Sequence, residues 1–369
     1  MRGSHSEPKT DVVLLQTHKH LAVHELAVHQ VLGEKIARLL GGRFAGQYDG
    51  TLHQQASLYF IPSDTLIGVQ AARELGITSL EHLFGGVVEQ PFMATKAISH
   101  PLPNDRARRP QGWSSAFFEA ASEAVLPGFT LFNLEEARQA GRRLLDGGPV
   151  RVKPVRATAG RGQRVVTSAE ALDQALDEQD EHEVADWGLV LEEDLSDVLT
   201  FSVGQVQIAG MTVSYHGTQR LTADNQGEQV YGGSELWLVR GGFDDLLRLP
   251  LDEPVRHAVD QALCYDRAAR RCLPGFFASR RNYDVALGRN AKGASCSGVL
   301  EQSWRIGGAS PAEIEAMLAF AANPGLDRLC ASTHEIYGQT TLPADADLLY
   351  QGDDPEVGLI SKYTQVRTL

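Results

Sequence analysis

Two carboxylates near the C-terminal third of the chain carry the clearest chemistry. Asp284 opens an apolar stretch, YDVALG, and Glu301 closes another, GVLEQSW, with the turn RNAKGASC between them. Two strands joined by so short a turn run antiparallel, which can bring the carboxylates side by side. Unscreened carboxylates at that range repel, so a cation is expected between them. Oxygen ligands without histidine or cysteine favour Mg²⁺, with Mn²⁺ as the alternative. Arg305 follows at the same strand edge and suits a phosphoryl or acyl-phosphate oxygen; a surface ion pair with either acid is the plainer reading. Far upstream, Lys153 sits inside the β-branched stretch VRVKPV. A buried lysine is costly unless an anion meets it. Seven residues later comes Gly160-Arg161-Gly162, followed by another strand-like stretch, QRVV. Glycines between two strands make a hairpin whose N–H groups can close over phosphates. A dinucleotide fingerprint needs a helix there instead, and no G-x-x-x-x-G-K-[ST] loop exists.

These side chains need a scaffold. DVVLLQ (11–16) and SLYFIP (57–62) read as buried strands, with a helix at about 24–40 stopped by Gly41-Gly42. A helix over 66–75 and a strand-like stretch over 85–94 continue the alternation of a parallel α/β unit. The proline- and arginine-rich PLPNDRARRP (101–110) reads as a linker. Helices are expected over 114–124, 134–146 (Asn133 with Glu136 as the capping pair), 168–179 (capped by Thr167 and Glu170) and 254–271. The stretch 189–216 reads as successive strands. Ser310-Pro311 with Glu313 marks a last helix start, with Ser310 as its cap.

The chain has 369 residues, 43% hydrophobic and 22% charged, enough for two or three packed units. Its net charge of −13 argues against non-specific nucleic-acid binding, which needs a cationic surface. No apolar run approaches the ~18 residues of a membrane span. The polar start lacks a signal region, so a cytoplasmic location is expected. Cys264, Cys272, Cys296 and Cys330 form no CxxC pair and read as free thiols. In THKHLAVHELAVH, His24 and His29 are five apart, which turns them about 140° from each other on a helix, so they read as a polar helix face and not a metal site.

Taken in order, the motifs resemble the ATP-grasp superfamily over about 120–315. VRVKP resembles the lysine strand at Lys153, and TAGRGQ the glycine-rich flap at Gly160, Arg161 and Gly162. LVLEEDL resembles the adenosine-binding hinge at Glu192, Glu193 and Leu195. NYDVALG resembles the metal-binding Asp strand at Asp284, and LEQSWRIGG the terminal metal-binding strand at Glu301 and Arg305. The family's metal-binding Asn is Ser303 here, and its ribose carboxylate falls near Thr200, with Asp197 as a substitute. The resemblance implies an α/β and α+β chain: an N-terminal Rossmann-like pre-ATP-grasp unit, then a core of two α+β subdomains. The expected boundaries are a tail over 1–10, the N-terminal domain over 11–112, the core over 113–350 with its lid at about 125–195, and a C-terminal segment over 351–369.

The activity so implied is an Mg-ATP-dependent ligase. It would activate a small-molecule carboxylate as an acyl phosphate for attack by an amine or similar nucleophile, with Lys153 and Arg305 as catalytic groups. A phosphotransferase on the same core, or a nucleotide-binding protein without turnover, are the alternatives. The resemblance also points to the region of Arg220 and Arg240 as the approach of the second substrate. Neither nucleic acid nor a membrane is expected as a partner, and a homodimer is compatible with this reading.

Overall fold

The computed structural model describes residues 11–17, 21–53, 57–156 and 162–369. The flap residues Gly160 and Arg161, and also His18 and His20, lie outside them. Strand β1 (Asp11–Leu15), helix α1 (Val23–Leu39), β2 (Phe44–Gln47) and β3 (Leu58–Pro62) form a parallel three-stranded sheet in the order β2-β1-β3. The apolar run of β1 is buried, as strands of a covered parallel sheet must be. Helix α1 lays Val28, Leu32 and Ile36 against Leu14 and Ile61.

The expected 66–75 helix is split. Leu66–Ile67 form a short strand, β4, and the helix α2 (Val69–Glu74) starts only after Gly68, whose φ of 90° breaks the run. Only Gly86–Val88, β5, of the 85–94 stretch is a strand. Pro91, which has no N–H to give a ladder, opens a 3₁₀ turn over Pro91–Ala94, and a second turn covers Lys96–Ile98.

Helix α3 (Ala116–Ala121) leads to the second unit. It comprises β6 (Gly128–Leu131), α4 (Leu134–Leu145), β7 (Val150–Pro154), β8 (Arg164–Val166), α5 (Ala169–Asp177), α6 (Glu181–Trp187) and β9 (Leu189–Glu193). Its antiparallel sheet runs β6-β9-β7-β8. The Asn133 side chain caps α4 by accepting from the Glu136 N–H at 3.0 Å. The Glu136 carboxylate does not complete the capping pair; it accepts from the Arg108 N–H. The cap of α5 is Ser168, not Thr167: its hydroxyl accepts from the Ala171 N–H.

The remaining chain builds an eight-stranded sheet: β10 (Ser196–Ile208), β11 (Met211–Ala223), β12 (Gln229–Arg240), then helices α7 (Phe243–Leu247) and α8 (Glu253–Cys272). Strand β13 (Phe277–Ala278) joins β5, and β14 (Arg280–Arg289) and β15 (Ser295–Ser303) form the hairpin read from sequence. Helix α9 (Ser310–Ala322), β16 (Arg328–Tyr337), β17 (Asp347–Asp354) and β18 (Gly358–Thr368) finish the chain. The order is β15-β14-β10-β11-β12-β16-β18-β17. Ser310 is the first residue of α9 and Ala309 its cap; the Ser310 hydroxyl instead accepts from the Gly307 N–H. Helix α8 packs with Phe201, Val203 and Tyr283 on one face of the sheet. Helix α9 packs with Val206, Val213 and Leu236 on the other. The four cysteines are free thiols. No helix among the described residues is long and apolar enough to cross a membrane.

Candidate active site

The hairpin β14–β15 is antiparallel, as expected, and places Asp284 directly opposite Glu301, although the register set at the turn would by itself put Leu300 there. The ladder is not regular there. Asp284 pairs with Glu301 and Val285 with Val299, so Leu300 is an extra, unpaired residue. Such a bulge frees backbone groups and re-aims side chains. The freed carbonyl of Leu300 accepts from Lys153 Nζ at 3.1 Å. This contact joins the four-stranded sheet to the eight-stranded one at the two carboxylates.

Lys153 is buried, and so is Glu192 on the neighbouring strand β9, whose Oε1 accepts from Nζ at 2.8 Å. The other Glu192 oxygen faces His100 Nε2 at 3.3 Å, and His100 too is buried. Burial opposes ionisation of Glu192. The Lys153 cation and the His100 contact outweigh it and hold the carboxyl down at about 2. Burial pushes Lys153 down, against the pull of Glu192 and with the push of a second cation, Lys96.

Lys96 was not singled out from sequence. It stands in the 3₁₀ turn, and Thr95 Oγ1 caps that turn by accepting from the Ala97 N–H. Gln302 ties the turn to β15: its amide donates to Thr95 O at 2.6 Å and its carbonyl accepts from Tyr265 Oη. Lys96 Nζ forms an ion pair with Glu301 Oε2. Burial alone would raise Glu301, but Lys96, with Lys153 and Arg305 beyond it, holds the carboxyl below its ordinary range. Asp284 goes the other way. Burial and the Glu301 charge push it up to about 7, against a hydrogen bond from Gln219 Nε2 to its Oδ1 at 2.7 Å. An ionised carboxyl and one that holds its proton far more readily than usual therefore share the site, and a dication placed between them would draw the Asp284 proton off.

The other sequence candidates divide. Arg305 stays at this end of the hairpin, with Nε 3.6 Å from Asp64 Oδ1 and Nη1 donating to Ile306 O. Ser303 is engaged elsewhere: its hydroxyl accepts from Arg280 Nη1 at 3.0 Å. Glu193 lies half-buried at the end of β9, its N–H given to Pro127 O, and Leu195 is buried beside Leu126 and Ala286. Asp197 is exposed with a φ of 52°, within an irregular part of the β10–β14 pairing, and Thr200 pairs with Ala286. Gly162 has a φ of 68°, suited to a turn before β8. Arg240 joins α9 to the sheet through Phe320 O at 2.6 Å and its stacking on the Phe320 ring, away from the cluster. Arg220 follows Gln219 in β11 and so stands on the opposite face of the sheet from Asp284.

The profile of one protein family, described as Protein of unknown function (DUF3182), matches residues 12–364. No curated protein matches. Among solved structures, the chain is similar to D-alanyl-alanine synthetase A from Vibrio cholerae at 13% identity and a TM-score of 0.46, covering 86% of this chain and 98% of that one. It is similar to phosphoribosylamine–glycine ligase from Thermotoga maritima at 14% identity and a TM-score of 0.47, covering 97% and 92%. A third, D-cycloserine synthetase, is 13% identical with a TM-score of 0.42, covering 84% and 99%.

Proposed function

We propose that this chain, which belongs to the DUF3182 family, is an Mg-ATP-dependent ligase of the ATP-grasp type, in which a carboxylate substrate is activated by phosphoryl transfer. The observation that carries the reading is the meeting of two buried lysines, Lys96 and Lys153, with two carboxylates in register, Asp284 and Glu301, where the two sheets touch. The donor set fits Mg²⁺: two carboxylate oxygens from adjacent strands, no sulfur and no imidazole. One ion is the fitting number, because the Ser303 hydroxyl is held by Arg280. When bound, Mg²⁺ would neutralise charge on the nucleotide phosphates.

The chain's own residues do the rest. Lys96 exchanges Glu301 for phosphate oxygens, leaving Glu301 beside Asp284 for the metal, and Lys153 turns from the Leu300 carbonyl to the phosphates. Glu192 orients Lys153. Arg305, at the mouth of the hairpin, stabilises the phosphoryl group in flight. The β9 hinge with Glu193, Leu195, Asp197 and Thr200 takes the nucleoside, and the Gly160–Gly162 segment covers the phosphates. The substrate carboxylate takes the γ-phosphoryl group and ADP leaves. An amine then displaces phosphate as the new bond forms.

Incubation of the protein with Mg-ATP and pools of small acids and amines tests this. Phosphate release that needs both an acid and an amine supports it. Formation of a stable phosphorylated acid, or ATP binding with no turnover across the pools, sinks it.

A further inference from the structure

The eight-stranded sheet has a second polar feature, a cleft of about 320 Å³ on the face turned away from Asp284 and Glu301. The register explains its shape. Three rows of side chains cross β11, β12, β16 and β18 on this face. Arg220, Gly233, His334 and Tyr363 form one row; Thr218, Glu235, Ser332 and Gln365 the next; His216, Trp237, Cys330 and Arg367 the third. Thr218, Ser332 and the bare Gly233 are short, which leaves space beside Arg220 and His334.

The first row is unusual in its charge. Gly233 has a φ of 136°, and a Cβ there would come within 2.0 Å of Thr333 O. The bare backbone lets the Arg220 side chain lie across it and reach His334 Nδ1 at 2.6 Å, while Arg220 Nε donates to Gly232 O at 3.0 Å. Both described partners of this guanidinium are neutral acceptors. Burial and the Arg220 charge hold His334 at about 4, so the imidazole accepts and does not add a second cation. With Nδ1 accepting, Nε2 carries the proton and donates to Ser332 Oγ at 2.8 Å. The Ser332 hydroxyl hydrogen is then directed away from the imidazole. His334 is fixed from below by stacking on Tyr363, with ring centroids 4.5 Å apart. The far end of the cleft is different: Arg367 meets Glu235 at 3.4 Å, and Gln365 donates to Asp345 at 2.8 Å. Arg367 there has a carboxylate partner, whereas Asp345 is met by a neutral amide.

We propose that this cleft is a second ligand site, in which Arg220 and the hydroxyls of Ser332 and Thr218 hold the oxyanion of a small molecule, a carboxylate or a phosphate. A guanidinium fork beside two hydroxyl donors suits either group. The site is separate from the nucleotide cluster and does not depend on it. It stands back to back with that cluster: Gln219, between Thr218 and Arg220 on β11, points through to the other face and holds Asp284.

Calorimetric titration of the full chain with inorganic phosphate and, separately, with succinate tests the assignment and distinguishes the two oxyanions. Binding of one probe in the millimolar range is expected, weakened about tenfold by Arg220→Gln. Ser332→Ala, which removes a single hydroxyl, weakens it by a smaller factor and guards against misfolding of the arginine variant. Lys153→Met keeps the full affinity, because that lysine serves the other face. The proposal is overturned if neither probe binds, or if binding survives Arg220→Gln and Ser332→Ala but is lost in Lys153→Met. The latter result would place the anion in the nucleotide cluster.

Discussion

Arg280 and Asp284 stand four residues apart on β14 and so face the same side of the sheet, yet the charge clusters around them are built on opposite plans. Around Arg280 every valence is met. Its Nε and Nη2 grip Glu313 from 2.8 to 3.1 Å, its Nη1 donates to Ser303 and to Arg305 O, and Tyr215 Oη closes on the same carboxylate. Arg280 is 1% exposed and Glu313 0%. This cluster fastens α9 to the sheet. Around Asp284 the sums do not close: two carboxylates are neighbours, two lysines crowd each other, and one acid is pushed up to about 7. A satisfied buried network holds structure, whereas an unbalanced one is a place prepared for something the chain does not itself supply.

The contrast can be broken hardest at its stable end. Glu313→Ala leaves the Arg280 charge buried and unpaired, and about 3–5 kcal/mol of stability should be lost in urea unfolding. The double change Arg280→Met with Glu313→Leu, which puts apolar packing in place of the ion pair, should recover most of it. At the other cluster, Glu301→Ala takes the partner of buried Lys96 but also relieves Asp284, so it should cost less stability than Glu313→Ala while lowering Mg-ATP-dependent turnover by about 100-fold or more, as loss of a metal-binding carboxylate does. Unchanged turnover would remove the metal assignment.

Asp284→Asn gives the sharpest comparison by pH. The folded-state value of Asp284 lies above its ordinary 3.8, so the stability it contributes is present below about pH 4 and is lost as pH rises through about 7. The asparagine variant escapes that loss. Its unfolding free energy should match the parent at pH 4 and exceed it by about 1–2 kcal/mol at pH 8, after allowance for the part of Asp284 that meets solvent. Millimolar Mg²⁺ should narrow the gap by stabilising the parent alone. The smallest effect is at Gln219. Removing its hydrogen bond in Gln219→Ala should move the Asp284 titration further upward and cost about 1 kcal/mol, read by NMR titration and by melting.

Lys153, Asp284 and Glu301 were legible because each is a charge inside an apolar strand, and a short turn joins the strands of the last two; the bulge at Leu300 that sets Glu301 opposite Asp284 was not legible. Lys96 and His100 were not. They lie in MATKAISH, a segment of 3₁₀ turns without strand or helix period, and only its docking under β15 through Gln302 gives it meaning. Sequence periodicity reports local conformation, whereas Lys96 acquires its partner from a residue 205 positions away, 301 minus 96. The strands β16 and β18 were also missed, since serine, threonine, histidine and glutamate on both faces blur the alternation that marks a half-buried strand. Arg220 was legible as a candidate but not its direction, because a residue's face depends on register, which Gln219 and Asp284 reveal only once paired.

The unpaired Leu300 has a consequence for how this hairpin can vary. It acts as a phase shifter: Val299 packs on the α8 side, and the extra residue lets Glu301, two positions on, stand on the opposite face beside Asp284. Deleting that single leucine would make the ladder regular and keep Glu301 opposite Asp284, but would take away the carbonyl that accepts from Lys153. Loss of Leu300 should therefore loosen the hold on Lys153 and leave the two carboxylates paired, while the Asn290–Ala294 turn can change length without moving either carboxylate.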